Sequence, residues 1–454
     1  MNKKDRLQNL KSIFSDTNIT EENFVNTAGK FIDLAAELKD TGEINFAIDL
    51  LEGRKSEIAI QENKCLLHYF LSVAYGVVIE QTIAKTNKDW DWEQEVIEKE
   101  LENLRLAHQN VSKQTDHQII SFMLINLANR FDNLGRFALS LDFWNKALEY
   151  NTNLGMAAVN KANSLMYYGR NYLNDVKYQI AFTQIAWQYF KIGLAKPLFR
   201  GVADKVKQRL AFMETNYRPA LDYKLDRADL ILEYDDFEYV KWCTENGLWL
   251  NPLSNINSKL ECNKDDLRLI HNNHEFTCFF DTIRKDYMFY RKQFFNSLIL
   301  DNEQGEQLKK SAFKEAYSIF DKIAYLINGI FGFHEIDNVR LNFSRMWYIK
   351  LEKNKGLNPV LIEKRNLMLR GLYWASKDIY LNEDGFKNMI EPKAKEINTI
   401  RNFVEHKSFK FGVDRGQKFT LQMTITDFDE HLLKLLKLVR ETLIYSAYST
   451  SKND

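Results

Sequence analysis

Proline most limits what this chain can become. Only five occur in 454 residues, at positions 197, 219, 252, 359 and 392, and apolar residues recur at helical spacing through most of the intervals between them. Proline removes a backbone donor and clashes with the preceding helical turn, so long proline-free intervals with a 3.6-residue apolar period read as helices. The expected fold class is all-α. A hydrophobic content of 45% with 13% aromatics fills the cores of two or three domains and excludes a disordered chain. Lys plus Arg and Asp plus Glu balance at 62 each, so no overall field draws the chain to nucleic acid or an anionic membrane. Any nucleic-acid contact has to come from a local patch.

Four cysteines, Cys65, Cys243, Cys262 and Cys278, are too few and too scattered for a disulfide framework, which points to a reducing cytoplasm. The opening MNKKDRLQNLKSIFSD lacks the apolar segment and small-residue cleavage site of a secretory signal. The longest uncharged runs, Leu66 to Ile79 and Ile323 to Phe333, fall short of the ~18 residues a membrane span needs, so a soluble protein without membrane contact is expected. Cys262, His271, His274 and Cys278 are potential ligands lying close in sequence, but structural zinc sites use closely spaced pairs across a turn, and this spacing argues against a metal. Cys278, inside the aromatic run FTCFFDTIRKDYMFYRKQFF, is expected in the core.

Between Asn126 and Arg170 the sequence repeats itself. Asn126, Ala128, Asn129, Gly135 and Arg136 recur at a constant interval as Asn160, Ala162, Asn163, Gly169 and Arg170. The interval of ~34 residues is the tetratricopeptide period, and NLANRFDNLGRFALSLDFWNKALEYNTN resembles that consensus from its leading Asn through Gly135 to Lys146, Ala147 and Leu148. The stretch DLAAELKDTGEINFAIDLLE from Asp33 has a similar Gly42 to Ala47-Ile48 arrangement, and residues 64 to 112 read as a further helix pair. Residues 1–220 are therefore expected to form a tetratricopeptide-like helical repeat array. Such arrays bind an extended protein or peptide segment, so a polypeptide partner is implied. Asn129 and Asn163 are placed either to hydrogen-bond that segment or merely to solvate the groove.

After Pro219 the character changes, and residues 221–270 read as a compact connector with a turn at Asn246-Gly247. Residues 271–454 read as helices over Glu275 to Leu300, Glu306 to Gly329, Asn338 to Leu351, Val360 to Tyr380, Lys393 to Phe409 and Asp427 to Tyr448, with FKFGVDRGQKFTLQMTI as a loop or short hairpin between the last two. The fifth of these holds Arg401-Asn402-Phe403-Val404-Glu405-His406. At about 100° per residue, Ile397, Ile400 and Val404 share one stripe, while Arg401, Glu405, Asn398, Asn402 and His406 fan over an arc of roughly 140° elsewhere. The same spacing also suits a plain surface ion pair between Arg401 and Glu405.

On these residues the C-terminal part resembles the HEPN superfamily, whose four-helix domains carry an arginine, usually a polar residue after it, and a histidine four to six residues on. Arg401, Asn402 and His406 match that pattern, and YVKWCTENGLWLNPLSN is similar to a segment just ahead of the HEPN domain in bacterial proteins that join tetratricopeptide-like helices to it. Lys285, Asp286 and Arg291 resemble charged positions of that branch. The resemblance implies a metal-independent endoribonuclease without a cofactor, in which a ribose 2′-hydroxyl attacks the adjacent phosphodiester. An imidazole such as that of His406 exchanges protons near neutrality, the Arg401 fork suits phosphate oxygens, and Asn402 is placed to orient either. Lys393, Lys395, Lys407 and Lys410 either supply a local positive field for RNA or form an ordinary solvated face. One motif carries one acid/base group, so the family's usual homodimer through the HEPN domain is expected. Toxin or antiviral, abortive-infection effectors of this kind use the repeat half as sensor or restraint. The alternative is a non-catalytic interaction or scaffold protein whose HEPN-like domain binds nucleotide or pairs subunits. The RNA target and the activating signal have no counterpart in the sequence.

Overall fold

The computed structural model describes residues 2–83, 90–92, 94–224, 236–254, 256, 262–300, 302–335, 341–379, 394–412 and 419–450. Among these the regular structure is eighteen α-helices with short helical turns, against two strands, Ser408–Phe411 and Thr420–Met423. The class is all-α. The described residues form two compact units: one runs up to Arg130 and includes Glu149–Asn151, and the other holds Phe131–Leu148 and the chain from Thr152 onward. The helices Gly155–Asn171, Val176–Leu194 and Val202–Asn216 belong to the second unit with the C-terminal helices.

In the first unit the helices Glu21–Leu38 and Thr41–Arg54 form a tight pair. Lys39 takes the left-handed conformation (φ 57°), and the Asp40 side chain accepts from the Glu43 N–H at 3.1 Å, a helix stop followed at once by an N-cap. Gly42 lies inside the second helix, so these two polar residues make the turn. Phe14, Phe24, Phe31, Ile44, Ala47 and Leu71 are fully buried between this pair and its neighbours.

The two sequence copies of the repeat are not equivalent in structure. Gly135 ends the first helix of its pair at φ +85°, whereas Gly169 lies within Gly155–Asn171 and the chain turns only after it. An added Cβ at Gly169 would stand 3.0 Å from Phe182 Cβ, so there the glycine serves helix approach and not the turn. A Cβ on Gly135 would stand 1.9 Å from the Leu367 carbonyl oxygen, and one on Gly371 would stand 2.5 Å from that of Gly135. Two backbones thus meet with no side chain between them.

Beside that contact lies a buried ion cluster. Arg136 is 1% exposed, and its guanidinium donates to Asp378 Oδ2 at 2.5 Å and to Glu441 Oε1; the Tyr445 hydroxyl donates to the other Glu441 oxygen at 3.1 Å. The corresponding Arg170 is exposed.

The C-terminal helices His274–Ile299, Glu303–Phe331, Leu367–Lys377 and Ile425–Tyr448 pack into a bundle. Their starts are written in the sequence: side chains of Asn273, Asn302, Asn366 and Thr424 each accept a backbone N–H of the first turn. Three expectations need correction. The helix expected over Val360 to Tyr380 breaks at Arg365 (φ 44°), where Asn366 caps a new helix. No long helix spans Asn338 to Leu351: 336–340 lie outside the described residues, and 341–348 form turns in which Phe343, Met346, Trp347 and Tyr348 are all buried, too many sides for one helix face. Cys278 is exposed, because Phe280, Ile283 and Tyr287 take the inward stripe of its helix.

Arg291 and Arg440 fix the connector segment. Arg291 donates to the Tyr239 hydroxyl, the Leu248 carbonyl and both oxygens of Asp265 at 2.6–2.9 Å, with its guanidinium 4.7 Å from the Trp249 ring centre. Arg440 donates to the carbonyls of Trp249 and Asn251 at 2.6 and 3.0 Å.

Two predictions follow from buried charge. Arg136→Ala leaves two carboxylates buried without their cation and is expected to destabilise the second unit by about 3–5 kcal/mol in denaturant unfolding, against a smaller loss when Asp378→Asn and Glu441→Gln accompany it. Asp132 accepts from the Ser164 hydroxyl at 2.6 Å, yet burial raises its carboxyl from 3.8 to about 7. The folded chain therefore holds a proton there that the unfolded chain releases, and stability falls as pH rises from about 4 to 7. Asp132→Asn is expected to flatten that slope in melts across the range.

Candidate functional site

The motif helix is Ala394–His406, packed on the second and last bundle helices, Glu303–Phe331 and Ile425–Tyr448. Ile397 and Ile400 are fully buried and Val404 partly so, which sets the helix's rotation about its axis. Buried His431 on the last helix fixes its start, with Nε2 2.7 Å from Glu396 Oε2 and Nδ1 2.6 Å from the Asp427 carbonyl. Lys309 reaches Asp429 at 2.6 Å and joins the two supporting helices.

Beyond His406 the chain turns directly into strand β1 (Ser408–Phe411), which pairs in parallel with β2 (Thr420–Met423), Ser408 opposite Thr420 and Phe411 opposite Met423. The expected loop or hairpin is thus a parallel ribbon, and the expected helix to Phe409 stops at His406 because Phe409 enters an aromatic cluster with Phe411 and Phe428 at 5.1–5.3 Å.

That frame leaves Arg401, Asn402, Glu405 and His406 on the outward side. Arg401 has a side chain 25% exposed, its guanidinium 5.4 Å from the ring centre of buried Tyr317, and its Nη1 donating to Asn402 Oδ1 at 3.1 Å. Its Nε lies 2.6 Å from Glu405 Oε2. The same carboxylate oxygen lies 3.7 Å from His406 Nε2, on a side chain 58% exposed. One carboxylate therefore stands between the two groups singled out for chemistry. The surface ion pair weighed from spacing is formed, and it is joined to Asn402 and His406 in one constellation.

Lys407 and Lys410 are exposed, with Lys407 Nζ 4.7 Å from the Phe403 ring centre. Lys393 and the side chain of Lys395 lie outside the described residues. Lys285 pairs with Asp281 and Asp286 with Lys322, each at 2.7 Å, while Arg291 is spent on the connector. All three are engaged in ion pairs. Tyr317 was not singled out from sequence, and nothing local in the sequence distinguishes it from other core aromatics.

Among the described residues no group of three or more His, Cys, Asp or Glu side chains is placed to hold a metal ion, and no helix is long and apolar enough to cross a membrane. A carboxamide, a guanidinium and an accessible imidazole on one face can bind an anion and exchange a proton.

Truncating Arg401 or His406 touches neither the Ile397–Ile400 stripe nor the Glu396–His431 tie. Arg401→Ala and His406→Ala are each expected to shift unfolding stability by under about 1 kcal/mol, read by chemical denaturation.

Against known families, residues 302–452 match the family described as LA2681-like HEPN, so the chain carries an HEPN domain at its C-terminus, over about a third of its length. The match begins at the N-cap of the second bundle helix and takes in the whole motif helix. No curated protein and no solved structure gives a significant match.

Proposed function

We propose that the chain is a metal-independent endoribonuclease of the HEPN type. The observation that carries this reading is the constellation of Arg401, Asn402 and His406 on the outer face of one helix within the residues that match an HEPN family. His406 would move the proton of the attacking 2′-hydroxyl or of the leaving 5′-oxygen, and Arg401 would hold the phosphate oxygens as charge builds on them. Asn402, bonded to the Arg401 fork, orients it. Lys407 and Lys410, just past the motif helix, would guide the RNA backbone, with Lys395 near that helix's start.

Cleavage needs one group to take a proton and another to give one, whereas one chain presents one such histidine. We propose a homodimer through the HEPN domain that brings two motif helices to one cleft. The N-terminal helices would restrain or trigger the activity by binding a protein or peptide, as suits a toxin or antiviral effector acting in the cytoplasm. The rival reading, an interaction protein whose motif is only a surface ion pair, draws support from the formed Arg401–Glu405 contact.

Cleavage of a structured RNA separates them. His406→Ala is expected to slow cleavage by about 10²- to 10⁴-fold and Arg401→Ala by about 10²- to 10³-fold, with folding and mass in solution unchanged and EDTA without effect on the wild type. Wild-type rates in His406→Ala, or loss of activity with EDTA, sink the mechanism. Sedimentation of the active chain as a monomer sinks the shared cleft.

A further inference from the structure

Glu405 takes no part in the chemistry described above, yet it makes the closest contact in the constellation. Its Oε2 sits 2.6 Å from Arg401 Nε, the edge by which a guanidinium offers paired N–H groups to a phosphate. The contact is close but badly aimed. Arg401 Nε is a buried nitrogen with no hydrogen bond satisfied among the described residues, so the carboxylate neutralises the charge without accepting the proton along its axis. The other edge and the face of the guanidinium are well held, by Asn402 Oδ1 at 3.1 Å and the Tyr317 ring at 5.4 Å. Arg401 is thus fixed in place while its anion-binding edge carries a poorly aligned occupant that a better-aligned anion displaces.

We propose that Glu405 is a gate on the Arg401 anion site, standing in the resting chain where a non-bridging oxygen of a nucleic-acid phosphodiester binds, and swinging out when that phosphate arrives. The idea rests on the proposal that Arg401 receives a phosphodiester, and deepens it by naming the residue that sets how readily one enters. Glu405 is one residue from His406 and half-turned to solvent, so its side chain has room to leave without moving the helix. A swing toward His406 Nε2, already 3.7 Å away, would carry the carboxylate to the imidazole as the phosphate takes the arginine.

The test uses the full-length chain and a short, labelled single strand of 2′-O-methyl RNA, which binds but has no free 2′-hydroxyl to attack. Its binding is followed by fluorescence anisotropy for wild type, Glu405→Gln, Arg401→Ala and the double variant. Glutamine keeps the shape and removes the charge, so Glu405→Gln is expected to bind about 2- to 5-fold tighter, the worth of one exposed ion pair. In the Arg401→Ala background the same change should give no gain. Equal or weaker binding by Glu405→Gln overturns the gate, as does no binding by either chain. A gain that persists without Arg401 also overturns it, since that is only the loss of a surface negative charge. Cleavage of ordinary RNA run in parallel judges the other reading by itself: no cleavage, together with Arg401-dependent tightening, discards the ribonuclease and keeps the gate.

Discussion

A guanidinium sealed in the core governs the second unit. Arg136 meets Asp378 at the end of one helix and Glu441 within another, and the Tyr445 hydroxyl donates to the second Glu441 oxygen. Taking three charges out of water costs several kcal/mol per ion, and their attraction offsets that cost only when every partner is in place. Such a cluster adds little to net stability but penalises any packing in which one member is missing. Gly135 and Gly371 sharpen the condition, since the backbones meet where even a methyl group would collide. The helix that carries Glu441 is also the one whose His431 ties down the motif helix, so the placement of the polar face descends from this buried charge.

Arg291 and Arg440 act by the same logic on a different partner. Each turns its donors on carbonyls of Leu248, Trp249 and Asn251, groups that no helix ladder satisfies in that irregular stretch. This explains in physical terms why YVKWCTENGLWLNPLSN stands out as a segment. Its aromatic rings and carbonyls are fitted to two arginines far away in sequence, so it belongs to the bundle's core as much as any helix does.

Much of the fold was legible because its signals are local. Proline scarcity and apolar period indicated helices, and Asn and Thr caps marked where several begin. The polar arc of the motif helix was legible for the same reason, since spacing alone orders the side chains around an axis. What escaped was decided at long range. The matching positions Gly135 and Gly169 look alike in sequence but meet a carbonyl in one case and a phenylalanine in the other. The interval from Asn338 has helical composition, yet its buried aromatics close into turns against Tyr373. Cys278 sits in an aromatic run whose inward positions belong to its neighbours, and Tyr317 becomes part of the Arg401 site only through packing of two helices.

The strand pairing beyond His406 has a mechanical meaning. Terminal residues of a helix ordinarily fray, because their carbonyls lack partners and the backbone there is free to unwind. Here the Ser408 N–H, two residues past the histidine, donates to the Phe419 carbonyl at 3.2 Å, and the ribbon holds the chain at its far side. The backbone at His406 is therefore held from both directions, like a hinge leaf screwed at each edge.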